Sequence, residues 1–216
     1  TEESHGEWLL PFHAECVGGS AVGLGNPNSR SQNQKFIHGL IKELDSLALS
    51  SSLPILFGFG QVDLEFVFTQ HCLQKRRYQF DHEDWTNFTC RSIDNYVGFL
   101  RGIIPLSRRQ NVFILSINPP ALSDENWKVG YVHGQLGGPG APREKIDELM
   151  RDVEPLEVLA QLSRTHLHSR FNWLLSSAMR GEGFQYLNNF FAFLSAEGML
   201  DERFSRFSRG ADHHLD

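Results

Sequence analysis

The stretch LPILFGFGQVD, Leu53 to Asp63, sets a short unbroken apolar run against two glycines and a polar turn. A run of this length without polar alternation predicts a buried strand, which the glycines end. DLEFVFTQHCLQKRR follows directly, so Asp63 stands where a residue caps or leads a helix. The same succession recurs along the chain. Trp8 to Val17 is apolar and stops at Gly18-Gly19, NVFILSINPP (Asn111 to Pro120) stops at two prolines, and GFQYLN (Gly183 to Asn188) is a fourth short run. Between these runs, apolar residues recur at helical spacing: Phe36, Ile37, Leu40, Ile41, Leu44 and Leu47, then Ile93, Tyr96, Val97 and Leu100, then Leu156, Leu159, Leu167, Phe171, Leu174 and Ala178. Strands alternating with helices predict an α/β fold. The expected form is one domain over residues 1–216, a three-layer sandwich around a mostly parallel sheet of about five strands. Ala121 to Glu154 contains GGPGAPRE and reads as a long loop, with a short helix near Glu144 to Met150.

Hydrophobic residues make up 40% of the 216 residues and charged residues 21%, the balance of a globular protein with a substantial core. A formal net charge of -6 argues against nucleic acid as a partner, and against an anionic membrane surface. The basic spots Lys75-Arg76-Arg77 and Arg108-Arg109 fit solvated helix ends. No apolar run reaches the roughly 20 residues of a membrane span. Cys16, Cys72 and Cys90 are an odd count without CxxC spacing. They predict reduced thiols and a cytoplasmic setting rather than disulfides or a zinc site. The chain starts at Thr1, as an excised domain or a processed product would, and Asn87-Phe88-Thr89 fits a glycosylation sequon.

Open parallel sheets bind ligands beyond the carboxyl ends of their strands. The residues there are Gly18-Gly19-Ser20, Gly58 to Asp63, Asn118-Pro119-Pro120 and Asn188-Asn189. A phosphate loop of the GxxxxGK[ST] kind fails, because Gly18 to Gly23 is followed by Leu24-Gly25 without lysine. GxGxxG fails at Asn26-Pro27-Asn28. Ser20 after two glycines is either a plain turn residue or a nucleophile on a tight corner, and a nucleophile needs a base. The tail offers Asp212-His213-His214-Leu215, in which a carboxylate can orient an imidazole. Other polar residues have structural readings. Asp63 can cap a helix or orient a donor, Arg170 can pair with Asp63 or Glu65, and His166 and His168 lie on different helix faces, which disfavours shared metal ligation. Cys72 reads as a buried thiol, and Phe190, Phe191 and Phe193 read as core.

The order of these pieces resembles the GDSL-type, or SGNH, serine hydrolase superfamily, in its divergent branches. The first run ends in Gly-Ser, the second in FGQVD and the third in SINPP. HSRFNWLL then precedes FQYLN, and RGADHHL closes the pattern. The resemblance spans Phe12 to Leu215 and implies a flavodoxin-like sheet and acyl-ester chemistry without cofactor or metal. It implies Ser20 as nucleophile, His214 as general base with His213 as runner-up, and Asp212 as the group that orients the base. Gly19, Gly60, Gln61, Asp63 and Asn118 would line the oxyanion hole or the substrate. Three departures stand out. Ser20 directly follows Gly19, Val62 occupies the position of the family's oxyanion asparagine, and Asp212 is two rather than three residues before His214. The implied substrate is a small-molecule or glycan acyl ester. The alternatives are a non-catalytic binding domain of the same fold, or an O-acyltransferase domain of a larger biosynthetic protein.

Overall fold

The structure, a computed structural model, describes residues 14, 16, 19–29, 31–46, 53–136 and 141–204. Its elements in chain order are α1 (Ala21–Leu24), α2 (Asn33–Ser46), β1 (Ile55–Phe57), a π-helical turn (Asp63–Val67) that runs into α3 (Phe68–Gln74), α4 (His82–Ile103), β2 (Val112–Leu115), α5 (Trp127–Leu136), α6 (Arg143–Val153), α7 (Gln161–Gly181) and β3 (Gln185–Leu187). The sheet is parallel with order β1-β2-β3. Ile55 pairs with Val112 and Phe57 with Ile114, while Phe113 pairs with Gln185 and Leu115 with Leu187. The chain is therefore α/β, with a three-stranded parallel sheet among the described residues. The predicted first strand, Trp8 to Val17, lies almost wholly outside them.

Register decides which side chains share a face. Ile55, Phe57, Val112, Ile114 and Tyr186 point to one side, where Ile93, Tyr96 and Leu100 of α4 and Phe171, Leu175 and Met179 of α7 close over them. Val112, Ile114, Tyr96, Leu100, Phe171 and Met179 are fully out of solvent, and each such side chain contributes about 1.5–3 kcal/mol of burial. The sequence predicts cover on both faces of the sheet. Among the described residues, Leu56 and Leu187 on the second face remain 56% and 41% exposed.

Helix α4 shows how local sequence places its element. Asp81 caps it by accepting the N–H groups of Glu83 (2.8 Å) and Asp84 (3.0 Å). Trp85, Phe88, Ile93, Tyr96 and Leu100 form its buried stripe. It ends at Ile103, where Pro105 pushes Ile104 into extended backbone (φ -109, ψ 114).

The expected long loop over residues 121–154 is corrected by the structure: it holds two helices, α5 and α6, packed on each other. Helix α5 stands where only loop was expected, and the short helix expected near Glu144 to Met150 is present as the longer α6, in which Ile146, Leu149, Met150 and Val153 face inward at helical spacing. With Phe66, Phe68, Trp85, Phe88, Tyr131 and Leu156 they form a second core. Trp127 stacks on Tyr131 with ring centroids 5.4 Å apart.

Candidate functional site

Ser20 precedes α1 in extended backbone (φ -112, ψ 145), and its Oγ accepts the N–H of Gly23 at 3.1 Å. Because Oγ accepts that bond, its own proton stays available to a base. Two glycines make the corner possible. A Cβ on Gly19 would stand 2.8 Å from the Cys16 carbonyl oxygen and 2.8 Å from the Phe59 ring just past β1, and one on Gly23 would stand 2.7 Å from Ser20 Oγ. The corner is fixed from the far side by Asp63, whose carboxylate is buried. Oδ2 accepts the N–H of Ala21 at 2.6 Å and Oδ1 that of Val22 at 2.8 Å. Burial raises the Asp63 carboxyl from 3.8 to about 6, and the two N–H bonds oppose that rise. Asn95 of α4 adds a bond from Nδ2 to the Val22 carbonyl at 3.0 Å. Asp63 thus caps a helix, but the helix is α1 rather than the one it begins.

The other strand ends are tied together by side chains. Gln61 Oε1 accepts the Asn118 N–H at 2.8 Å, and Gln61 Nε2 donates to Glu65 Oε1 at 2.7 Å. The Asn118 carbonyl accepts from His168 Nδ1 at 2.8 Å. One residue earlier, Asn172 brackets Ile117. Its Oδ1 accepts the Ile117 N–H at 2.8 Å, its Nδ2 donates to the Ile117 carbonyl at 3.0 Å, and the Tyr186 hydroxyl donates to Oδ1 at 3.1 Å. Ser116 donates to Asn189 in turn. Gly60, at φ +119, lies where a Cβ would meet the Phe171 ring at 2.6 Å and Ile117 at 3.0 Å, so only glycine lets β1 leave the sheet this way.

These contacts sort the expected site residues. Ser20, Gly19 and Asp63 come together at the first corner, and Gly60, Gln61 and Asn118 come together where β1 and β2 end. The polar groups of Asp63 and Gln61 that were expected to hold an oxyanion or substrate are spent internally: the Asp63 carboxylate and Gln61 Oε1 on backbone N–H groups, and Gln61 Nε2 on Glu65. The physical reason is that a strand end buried under α4 and α7 must satisfy its own N–H and C=O groups. Asp212, His213 and His214 lie outside the described residues. Arg170, expected to reach Asp63 or Glu65, sits over the Trp85 ring at 5.7 Å. Arg164 is the guanidinium that couples electrostatically to Glu65.

Glu65 and His168, read from the sequence only as a partner for Arg170 and as a histidine disfavoured for metal ligation, are functional candidates in the structure. Glu65 is buried and burial lifts its carboxyl from 4.5 to about 7. Its Oε2 has no hydrogen-bond partner among the described residues. The signal was present: a carboxylate inside VDLEFVF, four residues after Gln61. His168 is buried too, and burial first, with the Arg164 charge second in lowering it, takes its imidazole from 6.5 to about 4. It is therefore neutral at pH 7, with its proton on Nδ1 facing the Asn118 carbonyl.

Glu65, Arg164 and His168 line a pocket of about 90 Å³, walled by Phe68, Trp85 and Leu156. Ser20 does not line it. Among the described residues, no cluster of His, Cys, Asp and Glu has the arrangement of a metal site, and no helix is long and apolar enough to cross a membrane. Comparison with family models, curated proteins and solved structures finds no match to this chain.

Proposed function

We propose that the chain is a serine acyl-ester hydrolase of the SGNH type, built on a flavodoxin-like sheet of about five strands, with Ser20 as its nucleophile. The observation that supports this is the Ser20 corner. Its hydroxyl oxygen accepts an N–H and has no acceptor for its proton among the described residues, and a buried carboxylate 43 positions later in the sequence clamps the two N–H groups that follow it. In the proposed reaction Ser20 Oγ attacks the ester carbonyl carbon while His214, oriented by Asp212, takes the hydroxyl proton. The tetrahedral oxyanion faces the Ser20 N–H and the backbone at Gly60. Collapse expels the alcohol, which leaves with the proton from His214, and water then releases the acid from the acyl-enzyme by the same steps. The substrate class is a small-molecule or glycan O-acyl ester. An alcohol acceptor in place of water would make the same site an O-acyltransferase. The three cysteines are unpaired, which accords with a reducing, cytoplasmic setting.

A second reading, a binding domain without chemistry, is favoured by one observation: Gln61 and Asp63 spend their polar groups on internal backbone and on Glu65. A fluorophosphonate probe separates the two. Labelling that disappears in Ser20→Ala and falls by about 10²–10⁴ in rate in His214→Ala supports the hydrolase. A folded protein that is never labelled overturns it.

A further inference from the structure

We propose that the pocket between α3, the start of α4, the segment 155–159 and α7 binds a small uncharged molecule with an apolar body and one hydroxyl, held by Glu65. The pocket is a second site, separate from the Ser20 corner, and does not depend on its chemistry.

The chemistry of the ligand follows from what the pocket leaves unsatisfied. Glu65 is 7% exposed. Gln61 occupies its Oε1, and Oε2 has no partner among the described residues. A buried polar atom left this way costs free energy unless something meets it. Arg164 couples electrostatically to Glu65 but forms its ion pair elsewhere, with Asp124 at 2.8 Å. Its other bonds go to the carbonyls of Leu122 (2.8 Å) and Leu159 (2.9 Å). A hydroxyl matches that gap, because it donates to Glu65 Oε2 without bringing a charge. Two guanidinium groups, Arg77 and Arg164, and two carboxylates, Glu65 and Glu157, line the pocket and offset each other, so a neutral ligand fits best. Much of the remaining wall is apolar, with Phe68, Trp85, Trp127, Leu156 and Leu167, and Thr69 and Gln79 add polar groups. A volume of about 90 Å³, partly open to solvent, limits the body to one ring or a short chain.

Phenol and toluene share a ring and differ in the hydroxyl, so an NMR titration of the full chain with each tests the proposal. Phenol is expected to shift amides of α3 and α7 saturably and to bind about tenfold to hundredfold tighter than toluene. Glu65→Leu is expected to reverse that preference, and Leu156→Trp to block both ligands while the spectrum stays dispersed. Equal binding of the two to the wild type overturns the proposal, as does a preference that survives Glu65→Leu or the absence of saturable shifts at the lining residues. Should Glu65→Leu fail to fold, the wild-type comparison and Leu156→Trp decide.

Discussion

Replacing Glu65 by glutamine is expected to stabilise the protein, and to do so only above mildly acidic pH. Gln61 already satisfies Oε1, so the amide of the variant keeps that bond and puts its NH2 where Oε2 has no partner. The variant is thus a neutral copy of the protonated acid. Folding lifts this carboxyl from 4.5 to about 7. A carboxyl raised on folding contributes stability that is complete below the unfolded value and is lost as pH climbs through the folded one. At ~1.4 kcal/mol for each factor of ten, the wild type loses about 3 kcal/mol between about pH 4.5 and pH 8 through this group. Glu65→Gln loses none of it. Urea unfolding followed by tryptophan fluorescence, with Trp85 near the pocket as a reporter, gives both stabilities at each pH. The contribution of His168 is common to both proteins and cancels in the difference. The two proteins should agree at about pH 4.5, and the variant should lead by about 3 kcal/mol at about pH 8. A difference independent of pH, or a variant weaker at high pH, refutes the burial of an unpaired carboxylate as the cause.

Asp63→Ala strips the acceptor from the buried Ala21 N–H, at about 1–3 kcal/mol, and from the half-buried Val22 N–H, so a midpoint drop in urea should come with loss of probe labelling at Ser20. Gly60→Ala must relieve a Cβ 2.6 Å from Phe171 at a positive φ, and a loss of about 2 kcal/mol or more in the same assay is expected. His168 folds with its value lowered from 6.5 to about 4, so the stability it contributes is complete above 6.5 and fades as pH falls toward 4. Its ring signals in NMR should therefore stay constant from about pH 8 to pH 5.5; titration near 6.5 would contradict its burial. Ellman's reagent should modify exposed Cys90 quickly and leave Cys72 untouched at neutral pH, because Cys72 is buried and its thiol is raised to about 11.

The sequence by itself determined most of the strands and helices among the described residues, and which residues follow those strands. That information is local: unbroken apolar runs stopped by Gly or Pro, and apolar residues spaced three or four apart, identified β1, β2, β3, α2, α4 and α7. Over residues 121–154 it marked the middle of α6 as a short helix near Glu144 to Met150 and missed α5, Trp127–Leu136, which reads as loop. It also placed Gly19, Ser20, Gly60, Gln61, Asp63 and Asn118 at the carboxyl ends of apolar runs, where a sheet exposes its chemistry. What each of those side chains does was decided only by the tertiary structure. Asp63 meets a backbone 42 residues earlier and Gln61 one 57 residues later. No periodicity encodes such distances. They come from packing α4 and α7 over the sheet, which buries the strand ends and forces nearby polar side chains to satisfy them. The same packing took Glu65 out of water without giving its second oxygen a partner, and so made a pocket of a position that the sequence shows only as one acid among apolar neighbours.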